Sequence, residues 1–205
     1  VLREEDKAFV VLALCAGLLT GCFHRSVDAS VGARVAVRTP NFAKEFSKAS
    51  RVPWHEGNAV RTLVNGEAFF PPMLKAVRGA KKSITFETFA FIESPVTRKF
   101  SEALAEKARE GVAVHVILDG VGSREVGEFN IGLMRNAGAE VEIYHPLHNI
   151  LPNALSNRTH RKILVVDGKV GFTGGAGFAH AWTGNAQSPS FWRDTQYEVR
   201  GPAVG

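Results

Sequence analysis

From residue 59 onward, short apolar segments rich in β-branched residues alternate with longer segments in which apolar residues recur at helical spacing. Strands are expected at 60–64, 83–92, 112–118 and 141–144, and helices at 67–79, 95–110 and 124–137. A strand–helix–strand order favours right-handed crossovers between parallel strands. The order therefore predicts an α/β fold whose mainly parallel sheet is flanked by helices.

Several residues inside these segments have conventional structural explanations. Pro71-Pro72 fits the first turn of a helix, where no amide donor is needed. His115 lies within an apolar strand and is expected to be a packed core histidine rather than a ligand. For Glu87, the exposed face of a strand is the commoner position. His145 and His148 stand in a loop without carboxylate or cysteine neighbours, which is weak evidence for a metal site.

Residues 157–168 are predicted to form one strand that ends in a turn at Asp167-Gly168. His160 and Lys162 stand two residues apart, so their side chains are expected on the same face of that strand. The pair suits phosphate chemistry, because an ammonium attracts phosphate oxygens and an imidazole can attack phosphorus or carry a proton. On these residues alone, two solvated side chains at the end of a strand would be the simpler interpretation.

The wider spacing changes that interpretation. His160 and Lys162, followed by Asp167 and then Gly174-Gly175, resemble the HKD signature of the phospholipase D superfamily. The similarity continues through residues 191–195 and 201–204. Within the superfamily, the chain resembles the bacterial cardiolipin-synthase-like branch.

The resemblance implies a phospholipase D-like fold over residues 58–205, with a mixed, mainly parallel sheet, as one half of an enzyme whose active site forms between two halves. No second His-x-Lys with the following aspartate is present. We therefore expect either a piece of a longer enzyme or an obligate homodimer, and the abrupt ending favours the piece. The reaction implied is transfer or hydrolysis at phospholipid head groups through a phosphohistidine, without a metal or cofactor.

The resemblance also implies roles for individual residues. His160 is the expected nucleophile, and Lys162 is expected to bind the non-bridging phosphate oxygens. Asp194 matches the position of the carboxylate that orients the histidine. Asp167 belongs to the signature, but its place in a turn favours organising the loop over performing chemistry.

A second group of candidates surrounds these residues. The amides of Gly174 and Gly175 could hold phosphate oxygens, because glycine lets a backbone approach a ligand closely; a simple tight turn is the alternative. In the family a carboxylate on the strand of Glu87 often borders the active site. Gly177 departs from the asparagine that many members carry, which removes one expected side-chain contact and leaves the class unchanged.

The N-terminal segment is expected to attach the chain to a membrane. Residues 8–23 are almost wholly apolar, short for a bilayer span and suited to the core of a signal peptide. Leu19-Thr20-Gly21-Cys22 resembles a bacterial lipobox, in which Cys22 carries the lipid. The acidic residues at 4–6 count against a signal peptide, so an uncleaved anchor stays open. Both alternatives predict a membrane-associated, extracytoplasmic protein, with residues 24–57 as a linker or extended arm.

Composition limits the partners without choosing one. The net charge of +5 and the pI near 9.4 suit an anionic substrate or surface, either phospholipid or nucleic acid. The apolar N-terminal segment and the scattered basic residues favour phospholipid and a membrane over nucleic acid. Two alternatives remain: a nuclease of the same superfamily, and an incomplete half that binds anionic membranes without turnover.

Overall fold

A computed structural model describes residues 37–146 and 157–205. The chain divides into two compact units, Val1–Trp54 and His55–Gly205. The apolar run at 8–23, Cys22 and His148 lie outside the described residues. Within the described ranges, no helix is both long enough and apolar enough to span a bilayer.

The first unit contains helix α1, Phe42–Ser50. Residues 42–50, which belong to the predicted linker or extended arm, are therefore helical. Phe42 and Phe46 recur at helical spacing and stack with ring centroids 5.7 Å apart, and Trp54 packs edge-on against both rings. This aromatic cluster gives the helix an apolar side that the polar composition of residues 24–57 did not indicate.

The second unit alternates strands and helices along most of its length. Its strands are β1 Ala59–Val64, β2 Ser83–Thr88, β3 Ala113–Asp119, β4 Glu140–Tyr144, β5 Ile163–Val166, β6 Val170–Gly174 and β7 Thr195–Arg200. Its helices are α2 Gly66–Gly79, α3 Pro95–Arg109 and α4 Glu128–Asn136, with short 3-10 turns at His180–Trp182 and Pro202–Val204. The elements predicted between residues 59 and 144 are all present, with small changes at their ends.

The seven strands form one sheet in the order β1-β7-β6-β5-β2-β3-β4. The prediction of a mixed α/β sheet flanked by helices is confirmed, but its mainly parallel character is wrong. In the described part of the chain, β2, β3 and β4 pair in parallel, and the four other pairings are antiparallel. The cause is twofold: β1 pairs with β7 at the far edge instead of joining β2, and the short β5–β6 hairpin permits only antiparallel pairing.

The core lies between the helices and one face of the sheet. Alternate side chains of β2 and β5 turn toward the helices and are buried, including Phe86 and Leu164. Phe178, which follows β6, stands in an aromatic cluster with ring centroids 4.8–5.6 Å from its neighbours. Those neighbours are Phe70, Phe86, Phe91 and Phe100. This cluster joins β2, α2 and α3 to the loop after β6.

Two local predictions are wrong. His115 is exposed and its Nδ1 lies 2.9 Å from Oε2 of Glu140, because alternate residues of β3 face away from the helices. Pro71 and Pro72 lie inside α2 rather than in its first turn. That helix begins earlier than predicted, since the carbonyl of Asn65 already accepts the first helical amide bonds.

The strand pairings bring several segment ends to one end of the sheet. The last residue of β1 pairs with the first residue of β7, and the first residue of β5 pairs with Glu87 near the end of β2. The segment 157–162, the glycines at the end of β6 and Asp194 therefore meet at that end. Asp167 follows β5 and lies at the opposite end, about 13 Å or more away for a strand of this length.

Candidate active site

The segment that carries His160 and Lys162 has no regular secondary structure, because β5 begins only at Ile163. The predicted strand is thus too long at its beginning. His160 is exposed, with its ring centroid 5.0 Å from that of Phe89, whereas Lys162 is buried, 9% exposed. The Nζ of Lys162 donates to the carbonyl of His160 at 3.0 Å and lies 5.5 Å from the centre of the Phe89 ring. An exposed imidazole and a buried ammonium therefore share one aromatic neighbour.

The charge on Lys162 is poorly solvated. Burial lowers the pKa of Lys162 below the usual lysine range, and the negative charge of Asp194 opposes that shift without cancelling it. A desolvated ammonium gains more from an anion that reaches it than a hydrated one does, because less water has to be displaced. The position therefore suits an anionic group arriving from outside.

Asp194 is held by groups other than the predicted histidine. Its Oδ2 accepts from Nε1 of Trp182 at 2.9 Å, and its Oδ1 accepts from the amide of Thr195 at 2.7 Å. Within the described residues, neither carboxylate oxygen bonds to His160. The hydrogen bond by which Asp194 was predicted to orient that imidazole is therefore absent in this conformation, and the carboxylate acts instead on the charge of Lys162.

Asn65, which was not predicted to belong to any site, fixes the backbone of Asp194. Its amide donates to the carbonyl of Asp194 at 2.9 Å, and its Oδ1 accepts from the amide of Asp194 at 3.2 Å. Its φ of 66° and ψ of 163° lie in a region that is almost restricted to glycine. A non-glycine residue held there by reciprocal hydrogen bonds indicates that the position of Asp194 is strongly constrained.

Gly174 and Gly175, at the end of β6, allow the chain to pack closely on itself. A Cβ at Gly174 would overlap the carbonyl of Thr195, and a Cβ at Gly175 would overlap Oδ1 of Asp194. The amide of Gly175 donates to the carbonyl of Thr195 at 3.2 Å, so this donor is already engaged. The close approach predicted for a ligand is made here by the carboxylate of Asp194.

The family departure at Gly177 has a steric explanation. A Cβ there would lie 2.8 Å from the Cβ of Ala90 and 3.0 Å from the ring of Trp182. An asparagine at this position would therefore require those two neighbours to move.

Glu87 borders the segment on the side of the sheet away from the helices. Its carboxylate accepts from the hydroxyl of Thr159 and lies 3.8 Å from the guanidinium of Arg161. Its side chain is 14% exposed. Glu87 is therefore not a solvated residue on the exposed face of the strand, which is the commoner position for such an acid. Because its two partners flank His160, Glu87 contacts side chains on both sides of the imidazole.

Asp119, which the sequence analysis missed, anchors the beginning of the same segment. Its fully buried carboxylate pairs with Nε of Arg158 at 3.0 Å and accepts from the amide of Thr159 at 3.1 Å. Burial alone would raise the pKa of Asp119, but the amides of Gly122 and Val121 and the charge of Arg158 outweigh it, and the pKa is lowered. Its place directly after a buried parallel strand was the available signal, since strand ends carry functional residues in open α/β sheets.

Asp167 lies in the turn at the opposite end of β5. Its carboxylate accepts from the amides of Lys81, Lys82 and Ser83 at 2.7–3.1 Å. Burial would raise its pKa, but these three bonds and the charge of Lys169 lower it. The third letter of the HKD signature thus ties the β5–β6 turn to the start of β2.

Comparison with known proteins agrees with this geometry. Residues 73–196 match the family model described as "Cardiolipin synthase, PLD-like domain". Cardiolipin synthase A of Pseudomonas fluorescens strain Pf-5 is 35% identical over 162 residues, which cover 78% of this chain and 34% of that protein. Cardiolipin synthase 1 of Bacillus anthracis is 29% identical over 181 residues, covering 88% of this chain and 36% of that protein. The chain spans about a third of the length of these relatives.

Solved structures show the same fold. Nuc from Salmonella typhimurium, a phospholipase D family member, superposes with a TM-score of 0.52 at 20% identity, covering 70% of this chain and 84% of that one. NucT from Helicobacter pylori superposes with a TM-score of 0.51 at 13% identity, covering 69% of this chain and 86% of that one. At these identities the likeness concerns the fold alone.

Proposed function

This chain belongs to the cardiolipin-synthase-like branch of the phospholipase D superfamily, and on that premise we propose that it forms one half of a phosphatidyltransferase acting on phospholipid head groups. The observation that carries the proposal is the exposed imidazole of His160 beside the desolvated ammonium of Lys162, within the residues that the family model matches. One group is placed to react, and the other to attract an anion.

Substrate binding begins with charge. A phosphodiester resists nucleophiles because it is anionic, so a site must neutralise that charge before attack. The ammonium of Lys162 binds a non-bridging oxygen, and the negative charge of Asp194 opposes the lowering of the lysine pKa by burial. A ring nitrogen of His160 then lies beside the phosphorus.

The reaction proceeds in two displacements. In the first, the ring nitrogen of His160 attacks phosphorus, a P–N bond forms, and the P–O bond to the departing alcohol breaks. That oxygen takes a proton from a histidine of the second half. In the second, an alcohol or water attacks phosphorus while the second histidine accepts its proton, the P–N bond breaks, and His160 is restored. No metal or cofactor enters either step.

The second histidine comes from another HKD half, in the same full-length protein or in a second copy of the chain. This proposal rests on the single HKD motif in the sequence and on the match to about a third of each relative. It treats residues 58–205 as the first half. The isolated chain is then expected to have little phosphodiesterase activity as a monomer, and full turnover by a monomer in sedimentation and activity measurements would contradict the shared site.

The experiment that tests the reaction traps the intermediate. The assembled enzyme is incubated with phosphatidylglycerol labelled at phosphorus, quenched in alkaline detergent, and examined for acid-labile, base-stable phosphohistidine. His160→Ala should abolish label and turnover, while Lys162→Ala should weaken both binding and rate. Label that persists in His160→Ala would assign the nucleophile to the second half and make His160 the general acid.

A parallel assay separates lipid from nucleic acid. Single-stranded DNA is supplied in place of phosphatidylglycerol under the same conditions. Cleavage of DNA without turnover of lipid would replace the proposal by a nuclease of the same superfamily. Binding to anionic vesicles with no turnover of either substrate would indicate a half that lacks its complement.

We also propose that the protein is held at the extracytoplasmic face of a membrane by lipid on Cys22, with an uncleaved anchor as the alternative. Support comes from the lipobox-like residues 19–22 and the apolar run at 8–23. Cys22→Ala should lose metabolic fatty-acid labelling, whereas Cys15→Ala, a matched cysteine in the same run, should keep it. Equal labelling of both variants would leave the uncleaved anchor.

A further inference from the structure

An apolar groove of about 490 Å³ lies at the beginnings of helices α2 and α3. Its apolar lining comes from both helices: Phe70, Pro71, Leu74, Pro95, Val96 and Phe100. Helix α2 begins directly after β1, and α3 begins soon after β2. Both helices therefore begin at the end of the sheet that carries His160 and Asp194, and the groove lies between them near those beginnings.

One short segment contacts both the groove and the candidate active site. His180, Thr183 and Gly184 line the groove, while Trp182 between them donates from Nε1 to Asp194 at 2.9 Å. The same segment is fixed to the start of α2, because the amide of Glu67 donates to the carbonyl of Gly184 at 2.9 Å.

Close packing reinforces that attachment. A Cβ at Gly66 would overlap the carbonyl of Trp182, so only glycine fits where the segment meets the helix. The segment 180–184 is thus tied to α2 and to Asp194 at once. It therefore lies between the groove, which it lines, and Asp194, whose charge acts on Lys162.

The charges around the groove give a phosphate little net attraction. Lys99 and Glu67 stand among its lining residues and offset each other, with His180 as the other titratable group there. Apart from Thr183 and two glycines, the remaining lining is apolar, and the volume lies in the range of pockets that bind small ligands. The strong positive position, Lys162, lies elsewhere. A molecule that binds both in the groove and at the ammonium of Lys162 has an apolar tail joined to a phosphodiester.

We propose that this groove binds the acyl-chain end of the phospholipid whose phosphate reacts at His160. The inference rests on the proposed function, since it assigns a second subsite to the same substrate. It also gives the chain a physical basis for preferring lipid to nucleic acid, because a nucleic acid has no apolar tail to place there.

A groove-filling substitution tests the proposal with two substrates. Leu74→Trp in the assembled enzyme is assayed on phosphatidylglycerol in mixed micelles and on bis(4-nitrophenyl) phosphate, a soluble diester without acyl chains. Each expelled methylene weakens binding about fourfold, so kcat/KM for the lipid should fall about fifteenfold if only two leave the groove. The soluble diester should be turned over within about twofold of the unmodified rate, which also demonstrates folding.

The control places the same bulk elsewhere on the same layer. Glu106→Trp adds an indole to an exposed position of α3 outside the groove and should leave both substrates unaffected. Equal losses on both substrates in Leu74→Trp, or no loss on either, would overturn the proposal. An unmodified enzyme that hydrolyses neither substrate would instead contradict the proposed function.

A binding experiment keeps the groove testable without turnover. The chain is irradiated with a phosphatidylglycerol that carries a photoreactive diazirine at the end of one acyl chain, and the adducts are mapped by mass spectrometry. Adducts should concentrate on α2 and α3 around Leu74 and Val96, and should fall about tenfold in Leu74→Trp but not in Glu106→Trp. Adducts located elsewhere, or unchanged in Leu74→Trp, would refute the subsite.

Discussion

Replacing Asp167 tests whether the aspartate of the HKD signature has a structural or a catalytic role. Its carboxylate accepts the amides of Lys81, Lys82 and Ser83, and its backbone is left-handed, with φ 55°. It lies at the end of β5 opposite to His160. We therefore expect Asp167→Asn to destabilise the fold while leaving kcat per folded molecule nearly unchanged.

The magnitude follows from the hydrogen bonds. Each amide bond to a charged acceptor contributes about 1.5–3 kcal/mol, and water can replace part of it at this partly accessible turn. Asparagine keeps one acceptor oxygen and tolerates the left-handed backbone, so the loss should be about 2 kcal/mol. Alanine removes all acceptors and adds about 1 kcal/mol of backbone strain, so Asp167→Ala should lose about 4 kcal/mol.

The effect should depend on pH in a defined direction. The folded pKa of Asp167 is lowered, so its contribution is present above the unfolded value of about 3.9 and is lost as pH falls through the folded pKa. The stability difference between the unmodified chain and Asp167→Asn should therefore be constant near neutral pH and should shrink in acid.

Urea unfolding followed by tryptophan fluorescence measures the stability, and turnover at low temperature in the assembled enzyme measures the chemistry. Glu106→Gln, an exposed acid for which the structure records no ion pair among the described residues, serves as the control and should move neither quantity. A fall in kcat as large as that of His160→Ala, with an unchanged unfolding midpoint, would refute the structural role.

Three further predictions concern the groups around the site. Arg158→Ala should cost about 3 kcal/mol in urea unfolding, because it leaves the buried carboxylate of Asp119 without its guanidinium; a cost below about 0.5 kcal/mol would contradict the anchoring role. Trp182→Phe removes the Nε1 donor to Asp194 but keeps an aromatic ring, so kcat should fall severalfold with a stability loss near 1 kcal/mol; unchanged kcat would contradict it. Activity should decline on the alkaline side at a lower pH than an exposed lysine would give, because burial lowers the pKa of Lys162 and only its charged form binds phosphate. Lys162→Arg should shift this decline to higher pH, and an unshifted pH profile would count against the assignment.

Local periodicity was sufficient for most of the elements. The helices and the strands β2–β4 were predicted within a few residues because apolar spacing reports the conformation of each segment directly. The same periodicity misplaced His115, since an alternating strand does not say which of its faces the helices cover. It also could not assign β1 to its partner, because pairing across more than 130 residues depends on which edge of the sheet remains available.

The spacing of His160, Lys162 and Asp167 along the chain was enough to predict the reaction class, because a linear signature carries the identities of the reacting groups. Their surroundings were decided by tertiary structure. Phe89 reaches His160 from the position directly after β2, and Asn65 holds Asp194 from 129 residues away. Such contacts form between segments that meet only when the sheet and helices bury their apolar faces together, and no local pattern in the sequence encodes that meeting. The identities of the groups proposed to react could be predicted from the sequence; packing set which of them are buried, which are exposed, and what holds each one in place.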